Sequence, residues 1–369
     1  MTPDHTQLVI ADFGSENAYL LNPDGVAYNG TSVKVGGVAG FLNSGPARVT
    51  LTSAQTAFVG LSGEGGSAGA CNNCLGQMNL LASPPSFQTA PQPEVSSLAG
   101  APLLQADASG DTAYLAYTTA PGGPVAVWSA AAPDAFSLST ATDSATDLTV
   151  SGDGTFFAMR AHNATEIRAS DLTLVTTPAA VEVENIPNRV AVPGVALHPT
   201  GALLYEPFLD GPPPSAPPAS GIHGGIDVRD AHNGQLRLRI YLPEPVAMLS
   251  TDVDGLHGGF LAVDENGQRL FALTTSGLTV IQLANVPLGV GTLTPASGVA
   301  AGGVTVSLRG SGFVSGIKAI LGGKTATVTW KDMNTLKLTT PATPAGPQQL
   351  ILTNPDGESI SLDAALTAQ

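Results

Sequence analysis

One phrase recurs along this chain. A short apolar strand runs into a four-residue turn that closes on glycine, and an aromatic or aliphatic strand runs out again. It is clearest at 107–116 (DASGDTAYLA), which follows Pro102, Leu103 and Leu104. It returns at 150–158 (VSGDGTFFA), 197–205 (LHPTGALLY) and 263–271 (VDENGQRLF). A glycine held at one place after polar residues supplies the positive-φ position of a tight turn, and the apolar runs beside it read as antiparallel strands. Two looser copies precede these, so the six hairpins are anchored at His5, Ala54, Gly110, Gly154, Gly201 and Gly267, with spacings of 49, 56, 44, 47 and 66 residues. A proline-rich stretch at 210–218 (DGPPPSAPP) lengthens the last spacing.

A third strand is expected after each hairpin, at 18–21, 77–81, 125–128, 165–168, 226–229 and 278–281. A fourth follows in most units. Leu236–Ile240 shows it best, alternating leucine with arginine as an outer strand with one wet face does. A four-stranded unit cannot bury both of its faces alone. Repeated every 40–50 residues or so, such units stack about an axis as the blades of a β-propeller. The fold expected is therefore all-β, with about six four-stranded blades over residues 1–286. Residues 2–12 align with the turn and second strand of the repeat, which leaves the first blade without its inner strand. The last unit ends near 278–283 with no evident fourth strand.

Composition agrees with short strands and many turns: 43 glycines, 29 prolines and 12% charged residues. The formal net charge is −15. Residues 287–369 hold five basic and four acidic side chains, so the first 286 hold nine basic and twenty-five acidic, a balance of −16. That step marks a domain boundary near Val286 and Pro287, and an acidic surface of this size argues against nucleic acid as a partner. Mean hydropathy is +0.19, yet no apolar run approaches the ~18–20 residues of a membrane-spanning helix. The first residues (MTPDH) have neither the basic start nor the apolar stretch of a signal peptide.

The segment HPTGALLYE, followed by GIDVRDAHNGQLRLRIYLP, resembles the YVTN-type bacterial β-propeller repeat, related to NHL and lactonase-like propellers. After residue 287, the stretch 293–298 (LTPASG) leads into 302–313 (GGVTVSLRGSGF), which resembles the opening of an IPT/TIG domain, an immunoglobulin-like β-sandwich. In it Val304, Val306 and Leu308 alternate with Thr305, Ser307 and Arg309, so one face is apolar. Gly310 and Gly312 let the backbone kink, and Phe313 is placed to plug the core. The resemblance implies residues 287–369 as this second domain.

Motifs that carry chemistry are few. Residues 65–69 (GGSAG) fit the nucleophile-elbow pattern but lie in a glycine-rich loop, without the strand and helix that lift such a serine. Cys71 and Cys74 are the two cysteines. They lack the setting of a redox pair or a zinc site, and read as a disulfide stapling a loop in an oxidising compartment. His223 and His257 each stand in a His-Gly-Gly triplet, with Asp252 and Asp254 nearby. Two histidines and two aspartates are a candidate metal set, with Ca²⁺ the cation considered for the chain, although such residues are more often plain turn and loop residues.

Two functions follow. One is an exported or cell-surface, non-enzymatic binding or scaffold protein that recognises a protein or carbohydrate partner, acting as a monomer without a membrane span. IPT/TIG domains often accompany such repeats. The other is a propeller hydrolase or lactonase with a divalent cation at the channel mouth, drawing on Asp107, His198 and Asp264. These three recur at one place in the repeat, where a polar side chain caps a turn. The long segments join second to third strands or one unit to the next, which puts them on one face and makes that face the expected binding surface.

Overall fold

The computed structural model describes residues 8–12, 17–22, 28–34, 44–52, 56–63, 75–80, 82, 85–89, 102–117, 124–141, 145–161, 165–176, 189–191, 194–210, 223–247 and 261–369. Every regular element among them is a strand. The first sheet holds Leu8–Asp12, Asn17–Leu21 and Tyr28–Lys34 (β1–β3). The second holds Ser44–Leu51, Thr56–Gly63, Leu75–Asn79 and Ser86–Thr89 (β4–β7). Pro102–Ala106, Thr112–Tyr117, Pro124–Ser129 and Ala132–Ala141 (β8–β11) form the third. Ala145–Val150, Phe156–Ala161, Thr165–Ala169 and Leu174–Thr176 (β12–β15) form the fourth. In the fifth the first strand is broken into Arg189–Ala191 and Ala196–Leu197 (β16, β17), followed by Leu203–Asp210, His223–Asp230 and Leu236–Leu242 (β18–β20). The sixth holds Leu261–Val263, Arg269–Thr274 and Gly277–Gln282 (β21–β23).

Within each sheet neighbouring strands pair in chain order and antiparallel, with β16 and β17 sharing β18. The first strands of successive sheets pack on one another, from β1 to β4, β8, β12, β17 and β21. The sheets thus stand side by side as propeller blades, with β1 in the inner position. This corrects the phase of the first unit. Leu8–Asp12 is its first strand, and 18–21 lies in its second, β2, rather than in a third. The other five expected third strands fall in β6, β10, β14, β19 and β23.

Alternation along a strand explains why these segments are apolar nearly throughout, because both faces of a blade are buried. Leu103, Tyr114 and Val127 face Leu148, Phe157 and Met159 of the fourth sheet. Their neighbours Leu104, Leu115 and Trp128 face Phe58 and Leu75 of the second. Comparable cores join the first and second sheets (Val9, Leu20, Val59, Met78), the fourth and fifth (Phe156, Ile167, Leu204) and the fifth and sixth (Tyr205, Val228, Leu261, Leu270).

Residues 289–368 form the sandwich. Gly289–Thr294, Ser297–Gly298, Thr305–Ser311, Lys318–Leu321, Lys324–Asp332, Thr335–Thr339, Gly346–Thr353 and Ser359–Ala368 are β24–β31. β28 pairs with β27 over its first three residues and with β29 over the rest, so one strand passes between the two layers. Val306, Leu308, Phe313, Leu336, Leu338, Leu350 and Leu352 fill the core. Phe313 lies directly on Gly310, where a Cβ would come within 2.3 Å of its ring. Asn354 fixes the bend after it, donating to the Gly312 carbonyl (2.8 Å) and accepting from the Val314 amide (3.2 Å).

Candidate functional site

The repeated turn is built the same way four times. The amides of Asp107, Ser151, His198 and Asp264 donate to the carbonyls of Thr112, Phe156, Leu203 and Arg269, at 2.8–3.0 Å. The amides of Gly110, Gly154, Gly201 and Gly267 donate back to the turn's first carbonyl, and these glycines have φ of 70–75°. Side chains complete the turns. Asp107 Oδ1 accepts from Ser109 Oγ and the Asp111 amide (2.9 and 3.1 Å), and Asp264 Oδ1 from the Gln268 and Arg269 amides (2.8 and 3.1 Å). The residues that an enzyme would have placed at a channel mouth are turn caps here.

The sandwich packs against these turns. Thr200, in the turn of the fifth sheet, donates its hydroxyl proton to the Gly310 carbonyl at 2.9 Å. Asn334 donates to the Asn266 carbonyl in the turn of the sixth (2.9 Å), and Arg237, just after the last turn of the fifth sheet, pairs with Glu358 (2.9 Å). Met333 packs on the core between those two sheets. His198 Nδ1 lies 2.9 Å from the Thr200 hydroxyl oxygen and accepts the Thr200 amide at 3.3 Å, so it caps its own turn. His198 is fully buried, and its Nε2 has no partner among the described residues. Burial, reinforced by Arg309, holds its pKa down at about 3 against the opposing pull of Asp264. This imidazole is therefore neutral packing at the domain joint.

The strand ends that the long connections join lie on the other side of the blades. The strand order puts 64–74, 118–123 and 211–222 between second and third strands, and 90–101 and 248–260 between sheets. In an up-and-down sheet these all leave from the end opposite the glycine turns. Of the sequence candidates, Cys71, Cys74, Asp252, Asp254 and His257 lie outside the described residues, as does the serine motif at 65–69. His223 opens β19, at the same end of the fifth sheet.

Beneath that end runs a buried ionic ladder that sequence reasoning missed. Asp147 stands opposite Arg160 in the β12–β13 register. Arg160 Nη1 donates to Glu206 at 2.6 Å, and the Thr165 hydroxyl donates to the same carboxylate. Arg229 Nε lies 3.2 Å from Glu206 and its Nη2 3.1 Å from Asp227, which also holds Arg239 at 2.6 Å. Glu206 and Asp227 have no exposure at all. Arg160 thus ties the fourth sheet to Glu206 of the fifth, and Arg229, Asp227 and Arg239 continue the ladder within the fifth. The Asp147 carboxylate also accepts the Val195 amide (2.9 Å) beside the break between β16 and β17. The ladder surfaces at Arg239, whose guanidinium lies 5.4 Å from the Phe208 ring centroid. Tyr241, 61% exposed, stands edge-on to that ring. Arginine and tyrosine are among the residue types enriched at the hot spots of protein interfaces. The one signal for it in the sequence was a charge inside an apolar strand, as in 156–161 (FFAMRA).

Residues 289–367 match the IPT/TIG domain family. This segment is a TIG domain. Among solved structures, the chain resembles the hydrazine synthase of Kuenenia stuttgartiensis at 12% identity and a TM-score of 0.52, covering 77% of this chain and 75% of that one. It also resembles the beta-propeller domain of Myceliophteria thermophila Cps50 (Swd1) at 12% identity and a TM-score of 0.50, covering 76% and 80%. At such identity the likeness is one of fold. No curated protein matches the chain.

Proposed function

We propose that the chain is an exported, non-enzymatic binding protein. Its propeller, of the YVTN/NHL type, recognises a protein or glycan partner through the face that carries the long connections. The observation behind this reading is the placement of the TIG domain. It packs on the turn face of the fifth and sixth sheets, through Thr200, Asn266 and Arg237, and so leaves the opposite face, where the strand ends joined by the long connections lie, to a partner. Arg239 and Tyr241, held at that end by Asp227 and Phe208, supply a rigid anchor there. Export is inferred from the Cys71–Cys74 pair, read as a disulfide.

Two assays on the full chain test the reading. Fluorescently labelled protein on a glycan array and on bacterial cell-envelope fractions should show saturable capture that Tyr241→Ala weakens. The same protein, offered lactones and glycosides with added Ca²⁺, should show no turnover above blank. Turnover that survives purification, with no capture, would replace the binding role with a hydrolase.

A further inference from the structure

The second to fifth sheets each end on a fourth strand, β7, β11, β15 and β20. The sixth stops at β23, and residues 283–288 run on without strand into β24. The register shows which groups this leaves open. The Leu283 amide donates to the Gln268 carbonyl at 2.9 Å, in line with the β22–β23 pairing. Hydrogen-bonded pairs alternate along an antiparallel ladder. Ile281, Thr279 and Gly277 therefore turn their backbone groups toward β22, while Leu278, Val280 and Gln282 turn theirs outward. Among the described residues, β23 pairs with β22 alone.

Within β23 itself the edge lacks two of the usual protections. Its sequence (GLTVIQ) has no charge and no proline, whereas β20 carries Arg237 and Arg239 and β11 carries Pro133 and Asp134. Leu278 and Val280 are 66% and 55% exposed. In the second, third and fourth sheets the outer strand sends Phe87, Phe136 and Val175 onto an intersheet core. In the fifth sheet β20 likewise sends Leu238 and Ile240 onto the core it shares with the sixth, but among the described residues the sixth sheet adds no outer strand over them, and both stay half-buried.

We propose that the β23 edge accepts an extended strand from a partner protein, which becomes the fourth strand of the sixth sheet. The outward groups of Leu278, Val280 and Gln282 require backbone as their partner. Continuity with the core beneath requires apolar side chains at alternate positions, to cover Leu238 and Ile240. The −16 balance of the propeller half favours neutral or basic residues between them. This surface is separate from the loop face, so either can fail without the other.

The probe is a fluorescein-labelled peptide copying residues 235–243 (QLRLRIYLP), which alternates apolar with arginine as required. The full chain should bind it saturably, and a scrambled peptide should not bind. Hydrogen exchange over 278–282 should be fast in the protein alone and slowed about tenfold by saturating peptide. Val280→Pro removes one outward amide and no donor of the β22 ladder, and should weaken binding about tenfold. Val280→Lys, which keeps the backbone, should weaken it as well and covers the case in which the proline variant does not fold. Slow exchange in dilute free protein would mean that the chain's own residues already cover the edge. Protection that grows with protein concentration would mean a second copy does. Either result, or equal binding by both variants and the parent, overturns the proposal.

Discussion

Replacing Glu206 by glutamine tests whether the ionic ladder ties the fourth and fifth sheets together. The carboxylate is fully buried, 2.6 Å from Arg160 and 3.2 Å from Arg229. Glutamine keeps the shape and can still accept from Thr165, but it leaves two buried guanidinium groups with one fewer negative charge. Breaking one side of a buried ion pair costs about 3–5 kcal/mol. The lower end applies here, about 3 kcal/mol, because Arg229 keeps Asp227 and Arg160 keeps Asp147 as its cross-strand neighbour. The double variant Arg160→Met with Glu206→Leu removes both charges together, and apolar replacement of a buried pair is often neutral. Its cost should therefore fall below the sum of the single costs by about 2 kcal/mol. Urea unfolding followed by Trp128, buried between the second and third sheets, reads the propeller. Trp330→Phe silences the other tryptophan, which lies in the TIG domain. A loss below about 1 kcal/mol for Glu206→Gln, or strict additivity in the cycle, would refute the reasoning.

Three more outcomes are expected. Gly201→Ala should cost about 2–4 kcal/mol in the same unfolding assay, because φ is +71° and the new Cβ would come within 2.2 Å of the Phe156 ring. Glu244 accepts from Ser276, Thr274 and Thr275, and these bonds, the Ser276 hydroxyl first, lower its pKa from 4.5 to about 2. A lowered carboxylate pKa stabilises the folded state above the unfolded pKa and is lost as pH falls toward the folded one. The protection of the amides at 274–277, taken relative to their intrinsic exchange rate at each pH, should thus fall between pH 4.5 and about 2, and Glu244→Gln should remove that dependence. Cys71 and Cys74 should form a disulfide in the exported protein, so the peptide should be two hydrogens light without reductant; quantitative alkylation of both thiols contradicts it.

The blades were legible because each turn demands glycine at a fixed offset, and that demand survives when the rest of the repeat drifts. The first unit was read one strand out of phase. A period of two residues marks a strand without saying whether it is first or second, and no glycine follows Leu8–Asp12 at the offset seen in Gly110 or Gly201. The TIG opening was legible for the same local reason, through Gly310, Gly312 and Phe313. What the sequence hid is long-range. The leucine–arginine alternation of β20 reads as a wet face, yet Arg237 reaches Glu358 across the domain joint and Arg239 folds back onto Asp227. Nothing in 197–201 announces that Thr200 meets Gly310, 110 residues away. The partners of the ladder likewise sit on different sheets, where no spacing rule connects them.

The most direct test of the account shortens one long connection. Residues 211–222 are replaced by a two-residue turn, folding is confirmed by the Trp128 transition, and capture of the ligand found on the glycan array or in envelope fractions is measured. The control is a Ser151→Ala variant, which weakens the turn at Gly154 on the opposite side of the blades. The shortened protein should lose capture while the turn variant keeps it. Equal capture by both would contradict the assignment of that face as the binding surface.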